Sequence, residues 1–339
     1  MKKERNVLIT GGNGFIGSHI ANKFVDRGYK VSVICRRDHS NNPKFNDNIK
    51  ANKIEIFRGD IQSFDYEKIA DKQFDYIIHT ASKVSVYGKM SEFMEINYNG
   101  TKKLLEYASQ QKQLKCFTYL SSTAVYGYYG YRDLKESDKK IPFNNPYSLS
   151  KLETEKLVEE YAKEHHFDYV IARPGNVYGE YDYTSSHEIY SRVKQEKMSI
   201  CAGGKYLSCF VYAGNLAEAV IHTTENKSAH NTDYNITDGN NETLKEYLTK
   251  VAHTFGVRAK FLNFPSFLAK TVATLVEGVY KLFRIKKAPL ITRFSIWQNC
   301  TDYHFSIDKL LSTGYKKEVE EDEAIKRTTE WYNSTLKKD

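Results

Sequence analysis

Cysteine is the first scarcity. Among 339 residues there are five, Cys35, Cys116, Cys201, Cys209 and Cys300, scattered and without a Cys-x-x-Cys pair. That pattern excludes a disulfide framework and a zinc site, and fits a reducing compartment. No His/Asp/Glu cluster has metal-ligand spacing, so no metal is expected. Long hydrophobic runs are also missing. No stretch reaches the roughly 18 uncharged apolar residues of a membrane-spanning helix. The opening MKKERNVLIT lacks the apolar segment and small-residue cleavage site of a signal peptide, so the expected location is cytoplasmic. Internal repeats and low-complexity linkers are absent. The formal charge is +8, but the basic residues are dispersed and no recognition motif accompanies them, so nucleic acid is not an expected partner.

What is present is an alternation. Strand-like apolar runs at Asn6–Thr10, Lys30–Cys35, Lys53–Phe57, Tyr76–Thr80, Cys116–Ser121 and Tyr169–Ala172 are separated by helical patterns such as Phe15–Arg27, Glu92–Gln111 and Pro146–His165. Strand, turn, helix in repetition predicts an α/β Rossmann domain. Its doubly wound parallel sheet carries ligands at the carboxyl ends of the strands. Residues 1–179 are assigned to this dinucleotide-binding domain, with contributions from about 205–235. Residues 180–339 form mainly a smaller substrate-binding lobe. Within the lobe, Leu268, Val272, Leu275, Val279 and Leu282 make one apolar stripe along 267–283, interrupted by Lys270, Glu277 and Lys281. An amphipathic helix follows. A cap over an apolar substrate, a peripheral membrane contact and an ordinary core helix all satisfy that pattern.

LITGGNGFIGSHI closes the first strand and opens the first helix, with Gly11, Gly14 and Gly17 spaced three apart. Such glycines permit a tight turn and close backbone approach to a pyrophosphate. The helix start, at Phe15 and Ile16, offers free N–H groups. After the second strand, where a carboxylate would bind the 2′-hydroxyl of NAD, the chain has Arg36 and Arg37. Arginine there accommodates a 2′-phosphate, so NADP(H) is the expected preference, with NAD(H) admitted. Tyr-x-x-x-Lys occurs four times, at Tyr98/Lys102, Tyr131/Lys135, Tyr147/Lys151 and Tyr190/Lys194. Spacing alone does not choose among them.

With its Gly-x-x-Gly-x-x-Gly turn, the sequence resembles the extended short-chain dehydrogenase/reductase family, the NAD-dependent epimerase/dehydratase superfamily. Further motifs follow in the family's order: RGDI (Arg58–Ile61), HTAS (His79–Ser82), NYNGTKKLLEYA (Asn97–Ala108), LSSTAVYG (Leu120–Gly127) and RPGNVYG (Arg173–Gly179). The resemblance covers residues 6 to about 220. It implies adenine contacts from Asp60 and Ile61, and cofactor-lining roles for Thr80 and Ala81. It also implies a nicotinamide loop at Pro174, Asn176 and Val177, and selects Tyr147 with Lys151 and Ser122 as the catalytic set. The lysine is expected to reach the nicotinamide ribose as well.

The chemistry is consistent. Residues i and i+4 share a helix face, which sets Lys151 beside Tyr147. A nearby ammonium and an oxidised nicotinamide favour the phenolate, so Tyr147 can exchange a proton with an alcohol or ketone while hydride moves. Ser122 would hold the substrate oxygen. Ser121 and Thr123 are its alternatives, although register to VYG favours Ser122. His79 and Lys83 are read as locally satisfied and solvated.

For the substrate, FVYAGNLA (Phe210–Ala217), the 267–283 run and the segment Pro289–Tyr315 resemble the 3β-hydroxysteroid dehydrogenase branch. Nucleotide-sugar members usually carry Arg-Asp where this chain has Ser208 and Cys209. The expectation is thus oxidation or reduction of a secondary alcohol or ketone on a small hydrophobic, steroid-like molecule. A nucleotide-sugar epimerase or dehydratase is the alternative, and a non-catalytic NADP-binding sensor the third reading. Homodimers are common in the family.

Overall fold

The computed structural model describes residues 5–283, 285, 287–289 and 291–336. Its centre is a seven-stranded sheet formed by β1 (Asn6–Thr10), β2 (Lys30–Cys35), β3 (Ile54–Arg58), β4 (Tyr76–His79), β5 (Cys116–Leu120), β6 (Tyr169–Pro174) and β7 (Thr232–Ile236). The spatial order is β3-β2-β1-β4-β5-β6-β7, and every pairing is parallel. A parallel sheet is covered on both faces, which explains why its strands read as nearly unbroken apolar runs. Val7, Leu8 and Ile9 are fully buried, with Val31 and Val33 beside them and Ile77 and Ile78 on the other flank.

Chain reversal between β1 and β4 creates the crevice where doubly wound sheets bind ligands. Three short parallel pairs lie outside the sheet: 131–134 with 303–305, 176–178 with 210–212, and 198–201 with 261–264. They bring the late chain over the carboxyl ends of β5 and β6. The run expected as one helix over Glu92–Gln111 is interrupted by a π-helical segment, Met94–Asn99, before the α-helix Gly100–Ser109. The wider turn carries Asn97, a residue with four side-chain hydrogen bonds described below.

The helix Pro146–His165 begins where its sequence dictates. Asn145 caps it by accepting from Ser148 N at 2.8 Å, Pro146 occupies the first turn, and His166 ends it in the left-handed region. The helix Ser266–Leu282 is amphipathic as read, but its apolar stripe faces solvent. Phe267 is 73% exposed, Leu275 65% and Leu282 76%. No described helix is long and apolar enough to cross a membrane.

Candidate functional site

Glycine shapes the dinucleotide end. Gly11 has φ +69°, and a Cβ there would lie 2.9 Å from Ala81 Cα and N. At Gly17 a Cβ would meet Gly11 O at 2.3 Å, so the helix Phe15–Asp26 sits against the turn as closely as backbones allow. Gly14 starts that helix with no side-chain cap and no acid in the first turn, leaving its positive end open to an anion. Thr80 Oγ1 donates to Thr10 O at 2.7 Å, and Ala81 N donates to Thr10 Oγ1 at 3.3 Å, tying the β4 end to the turn. This cradle, which a single Cβ would fill, fits a dinucleotide pyrophosphate.

Beyond β2, Arg36 and Arg37 are exposed. Arg36 Nη1 lies 4.0 Å from Asp60 Oδ2, and Arg58 Nη1 lies 3.5 Å from Asp38 Oδ2. Ile61 is buried against Gly100. Asn176 is anchored by its N–H donating to Cys209 O at 2.7 Å, and its Oδ1 accepts from Gln298 Nε2 at 2.6 Å. Val177 packs on the main core, and Pro174 O accepts from Thr123 Oγ1 at 3.2 Å. The structure thus gathers the sequence-read cofactor residues along the carboxyl edge of the sheet.

Three adjacent hydroxyls after β5 have different fates. Ser121 Oγ donates to Glu155 Oε1 at 2.6 Å. Thr123 is buried, donating to Pro174 O and accepting from Tyr303 OH at 2.8 Å. Ser122 is half-buried, accepts from Ala124 N at 3.2 Å, and stands close enough to Tyr147 to draw its pKa down. It is the hydroxyl placed to meet a substrate. Of the four Tyr-x-x-x-Lys pairs, Tyr147/Lys151 alone stands beside it.

The protonation logic differs from the sequence expectation. Burial pushes Tyr147 above its ordinary value, and only Ser122 beside it pulls it down. Lys151 is 2% exposed, donates from Nζ to Leu120 O at 2.7 Å, and lies 4.8 Å from the Tyr119 ring centre. Burial lowers it to about 7, against the pull of Glu155. The ammonium expected to favour phenolate is therefore itself weakened, and Tyr147 rests as the protonated phenol.

Several residues that hold this array had no role assigned from sequence, although Asn97 and Arg173 each open a quoted motif. Asn97 is buried. Its Oδ1 accepts from Ser82 Oγ at 3.0 Å and Lys83 N at 2.7 Å, while its Nδ2 donates to Lys83 O at 3.2 Å and Ser150 Oγ at 2.9 Å. It joins the loop after β4 to the Tyr147 helix. Arg173 and Glu155, both fully buried, pair at two points beneath that helix. A buried charge pair was the available signal, but linear sequence does not show which charges will be covered. His79 is locally satisfied, as expected from sequence: Thr10 and Thr101 occupy its two ring nitrogens at 2.6 and 2.8 Å, and burial lowers its pKa to about 3.

Residues 143–146, which lead into the Tyr147 helix, bound a cavity of about 810 Å³ together with the loop after β4, the end of the Ser266–Leu282 helix and residues 293–294. Lys83, Lys89, Lys281 and Arg293 face it, together with Glu92 and Glu277. Val86, Tyr87, Phe143, Ile285 and Phe294 line it as well, so its wall is mixed and not the uniformly apolar one expected for a steroid. The amphipathic helix gives the cavity Glu277 and Lys281, and turns Phe267, Leu275 and Leu282 outward.

Comparison with known proteins agrees. The model of the NAD dependent epimerase/dehydratase family matches residues 7–237. The Methanocaldococcus jannaschii protein named "Putative UDP-glucose 4-epimerase" is 28% identical, over 96% of this chain and 97% of that one. Mouse dTDP-D-glucose 4,6-dehydratase is 27% identical, over 98% and 90%. A UDP-glucose 4-epimerase from Thermotoga maritima, solved with UDP-glucose, superposes with a TM-score of 0.75 at 22% identity, covering 98% of this chain and 99% of that chain. These relatives overturn the 3β-hydroxysteroid dehydrogenase assignment and its steroid-like partner. The stretches that suggested it, Phe210–Ala217 and Pro289–Tyr315, carried a local resemblance, whereas the matches to sugar enzymes run nearly end to end.

Proposed function

Because this chain belongs to the NAD dependent epimerase/dehydratase family, we propose that it is a nucleotide-sugar oxidoreductase whose reaction is 4-epimerisation of a nucleoside-diphosphate hexose. The observation carrying the reading is Ser122 set against Tyr147, with Lys151 one turn on, near a cavity lined by Lys83, Lys89, Lys281 and Arg293 together with apolar side chains. The cations suit a phosphorylated sugar, and the apolar part of the wall suits the faces of its rings.

In this reading Tyr147 exchanges the proton of the C4 hydroxyl, and Ser122 donates a hydrogen bond to the same oxygen. Lys151 holds the helix register through Leu120 O and places a titratable ammonium behind the phenol. Gly11, Gly14, Phe15 and Ile16 would receive the pyrophosphate of the dinucleotide. Asp60 and Ile61 would face the adenine, Thr80, Ala81, Tyr147 and Lys151 the nicotinamide ribose side, and Pro174, Asn176 and Val177 the ring. When bound, the nicotinamide supplies the reversible oxidation of C4 and a positive charge that favours ionised Tyr147. With Arg36, Arg37 and Arg58 around the end of β2 and no carboxylate directly at it, the dinucleotide is read as NADP(H) in preference to NAD(H).

Epimerisation is favoured over 4,6-dehydration by the loop after β5. Dehydration must also remove the C5 proton and protonate the departing C6 hydroxyl, which calls for further acid/base groups. That loop offers Ser121, Ser122, Thr123 and Ala124, without a carboxylate. In the cavity, Glu92 is paired with Lys83 at 2.5 Å, and Glu277 accepts from Arg293 N at 2.6 Å.

The test is incubation of the purified protein, with NAD+ or NADP+, with UDP-glucose, UDP-glucuronate, UDP-N-acetylglucosamine and dTDP-glucose, followed by NMR. Appearance of the C4 epimer is expected. A 4-keto-6-deoxy product would replace epimerisation by dehydration, and no turnover of any nucleotide sugar would overturn the reading.

A further inference from the structure

Ten of the 17 large hydrophobic side chains exposed among the described residues lie between Leu262 and Ile291. Single exposed apolar residues are ordinary, but such a concentration marks a contact surface. Its centre is the helix Ser266–Leu282. At about 3.6 residues per turn, Leu268, Leu275, Val279 and Leu282 share one side, and all four are exposed. Thr271 and Gly278, exposed on the same side, add no charge. The opposite side is seated on the protein. Ala273 and Glu277 are buried, Glu277 Oε1 accepts from Arg293 N at 2.6 Å, and Lys270 Nζ lies 5.3 Å from the Trp297 ring centre. The helix is held with its apolar side outward, the reverse of what packing on a core requires.

Charge around this surface has one sign. From residue 258 to 288 the sequence carries seven lysines and arginines and one carboxylate, Glu277, which is the buried one. Arg258 and Lys260 stand before the apolar cluster, and Lys281 and Lys287 towards its end, all exposed. A second copy of the chain is a poor occupant. A twofold interface sets one patch against itself, so cations would meet cations with no exposed carboxylate between them. An outward apolar side bordered by cations complements a bilayer with anionic headgroups. With 17 residues and Lys270 and Glu277 within it, the helix suits lying along such a surface and not crossing it.

We infer that segment 258–288 docks the protein on an anionic lipid surface. Leu268, Leu275, Val279 and Leu282 enter the boundary between headgroups and acyl chains, and the bordering lysines and arginines meet lipid phosphates. Apolar insertion and a polybasic border are together the two signals that stable peripheral attachment takes. This goes beyond the proposed sugar chemistry and does not depend on it.

Sedimentation of the full chain with lipid vesicles tests the inference. Wild type is expected to bind vesicles of equal parts phosphatidylcholine and phosphatidylglycerol, to bind phosphatidylcholine alone about tenfold or more weakly, and to be released as salt is raised. Leu275→Ser with Leu282→Ser, and separately Lys260→Glu with Lys287→Glu, should each weaken binding about tenfold or more. Lys50→Glu with Lys112→Glu makes the same change in net charge at exposed lysines of other segments and should leave binding within about twofold. Val279→Trp should show emission shifted to the blue, relative to wild type, on the anionic vesicles. Every substitution is at an exposed side chain, and thermal unfolding confirms that each variant is folded. No binding to either vesicle, equal binding to both, full binding by the serine variant or equal losses from the two lysine pairs would each overturn the inference. A concentration-dependent dimer abolished by the serine variant, in place of vesicle binding, would give the surface to a second copy. The vesicle assay reads no turnover, so failure of the epimerase reading leaves its result standing, and the converse holds.

Discussion

Arg173 and Glu155 are joined by two parallel hydrogen bonds, Nε to Oε1 at 2.8 Å and Nη2 to Oε2 at 2.9 Å, with neither side chain in contact with solvent. Arg173 also donates to Tyr126 OH at 2.7 Å and pairs with Asp233, while Glu155 accepts from Ser121. The pair fastens the helix bearing Tyr147 and Lys151 to β5, β6 and β7 at once. Glu155→Ala would leave a buried guanidinium with Asp233 and the Tyr126 hydroxyl as its remaining partners. The expected loss is about 3 kcal/mol in urea unfolding, at the lower end of values for a broken buried pair because Asp233 persists. A loss under about 1 kcal/mol, the range of exposed pairs, would refute this account of the helix anchor.

Tyr147→Phe removes the hydroxyl proposed to exchange the proton and keeps the ring that fills its place. Turnover of the nucleotide sugar is expected to fall by about 10²–10⁴-fold, the usual contribution of a general acid/base. Dinucleotide affinity, followed by fluorescence titration, should change little. Retention of full activity would remove Tyr147 from the reaction.

Legibility followed the range of the forces involved. β1 and β2 agree residue for residue with their apolar runs, and the helix Pro146–His165 agrees with its Asn-Pro start, because short-range patterning fixes them. β7, Thr232–Ile236, is short and carries Asp233 and Asn235 among its apolar residues, so it gave no strand signal, although it pairs with β6 over five residues. The π-helical turn at Met94–Asn99 has no local signature either; Asn97 opens a recognisable motif, but its bracing role shows only once Ser82, Lys83 and Ser150 are seen around it. The stripe on Ser266–Leu282 was real, but periodicity reports that a helix has two faces and not which one meets the site. The cavity is assembled from residues of 83–92 and 143–146 with Glu277, Lys281, Arg293 and Phe294, and its mixture of charged and apolar walls appears only when they meet.

Lys151 should leave a signature in stability against pH. Its folded pKa is lowered from 10.5 to about 7 by burial. Between those values the unfolded chain binds more protons than the native one, so this residue's contribution makes stability rise with pH and levels off above the unfolded value. Relative to Lys151→Met, the wild type is expected to gain about 2 kcal/mol between pH 7 and pH 9 in urea unfolding. Parallel curves for the two proteins would show that the ammonium is not destabilised by burial.

Gly11→Ala combines a left-handed backbone position with a Cβ placed 2.9 Å from the Ala81 backbone. The substitution must push apart the turn after β1 and the end of β4, the two walls of the pyrophosphate cradle. Dinucleotide Kd is expected to rise about tenfold or more, in keeping with the roughly 1–3 kcal/mol of strain at such positions. Gly28→Ala is the control: it too sits at positive φ but has open space around it, so it shares the backbone strain and lacks the collision. Equal effects of the two on dinucleotide affinity would count against the cradle.

The proposed NADP(H) preference rests on charge at the end of β2, where two arginines are partly offset by acids. Arg36 faces Asp60 at 4.0 Å and Arg58 faces Asp38 at 3.5 Å, both on exposed side chains, where ion pairs are weak and easily exchanged for a better partner. A 2′-phosphate, carrying more charge than a carboxylate and more acceptor oxygens, is such a partner. Replacing Arg36 and Arg37 together by serine should therefore raise the Kd for NADP+ about tenfold or more and leave that for NAD+ within about twofold. The discrimination should also shrink as salt is raised, since exposed charges are screened over about 10 Å at 0.1 M. Equal weakening of both dinucleotides would assign the arginines to the turn itself, and tighter NAD+ than NADP+ binding by the wild type would reverse the preference.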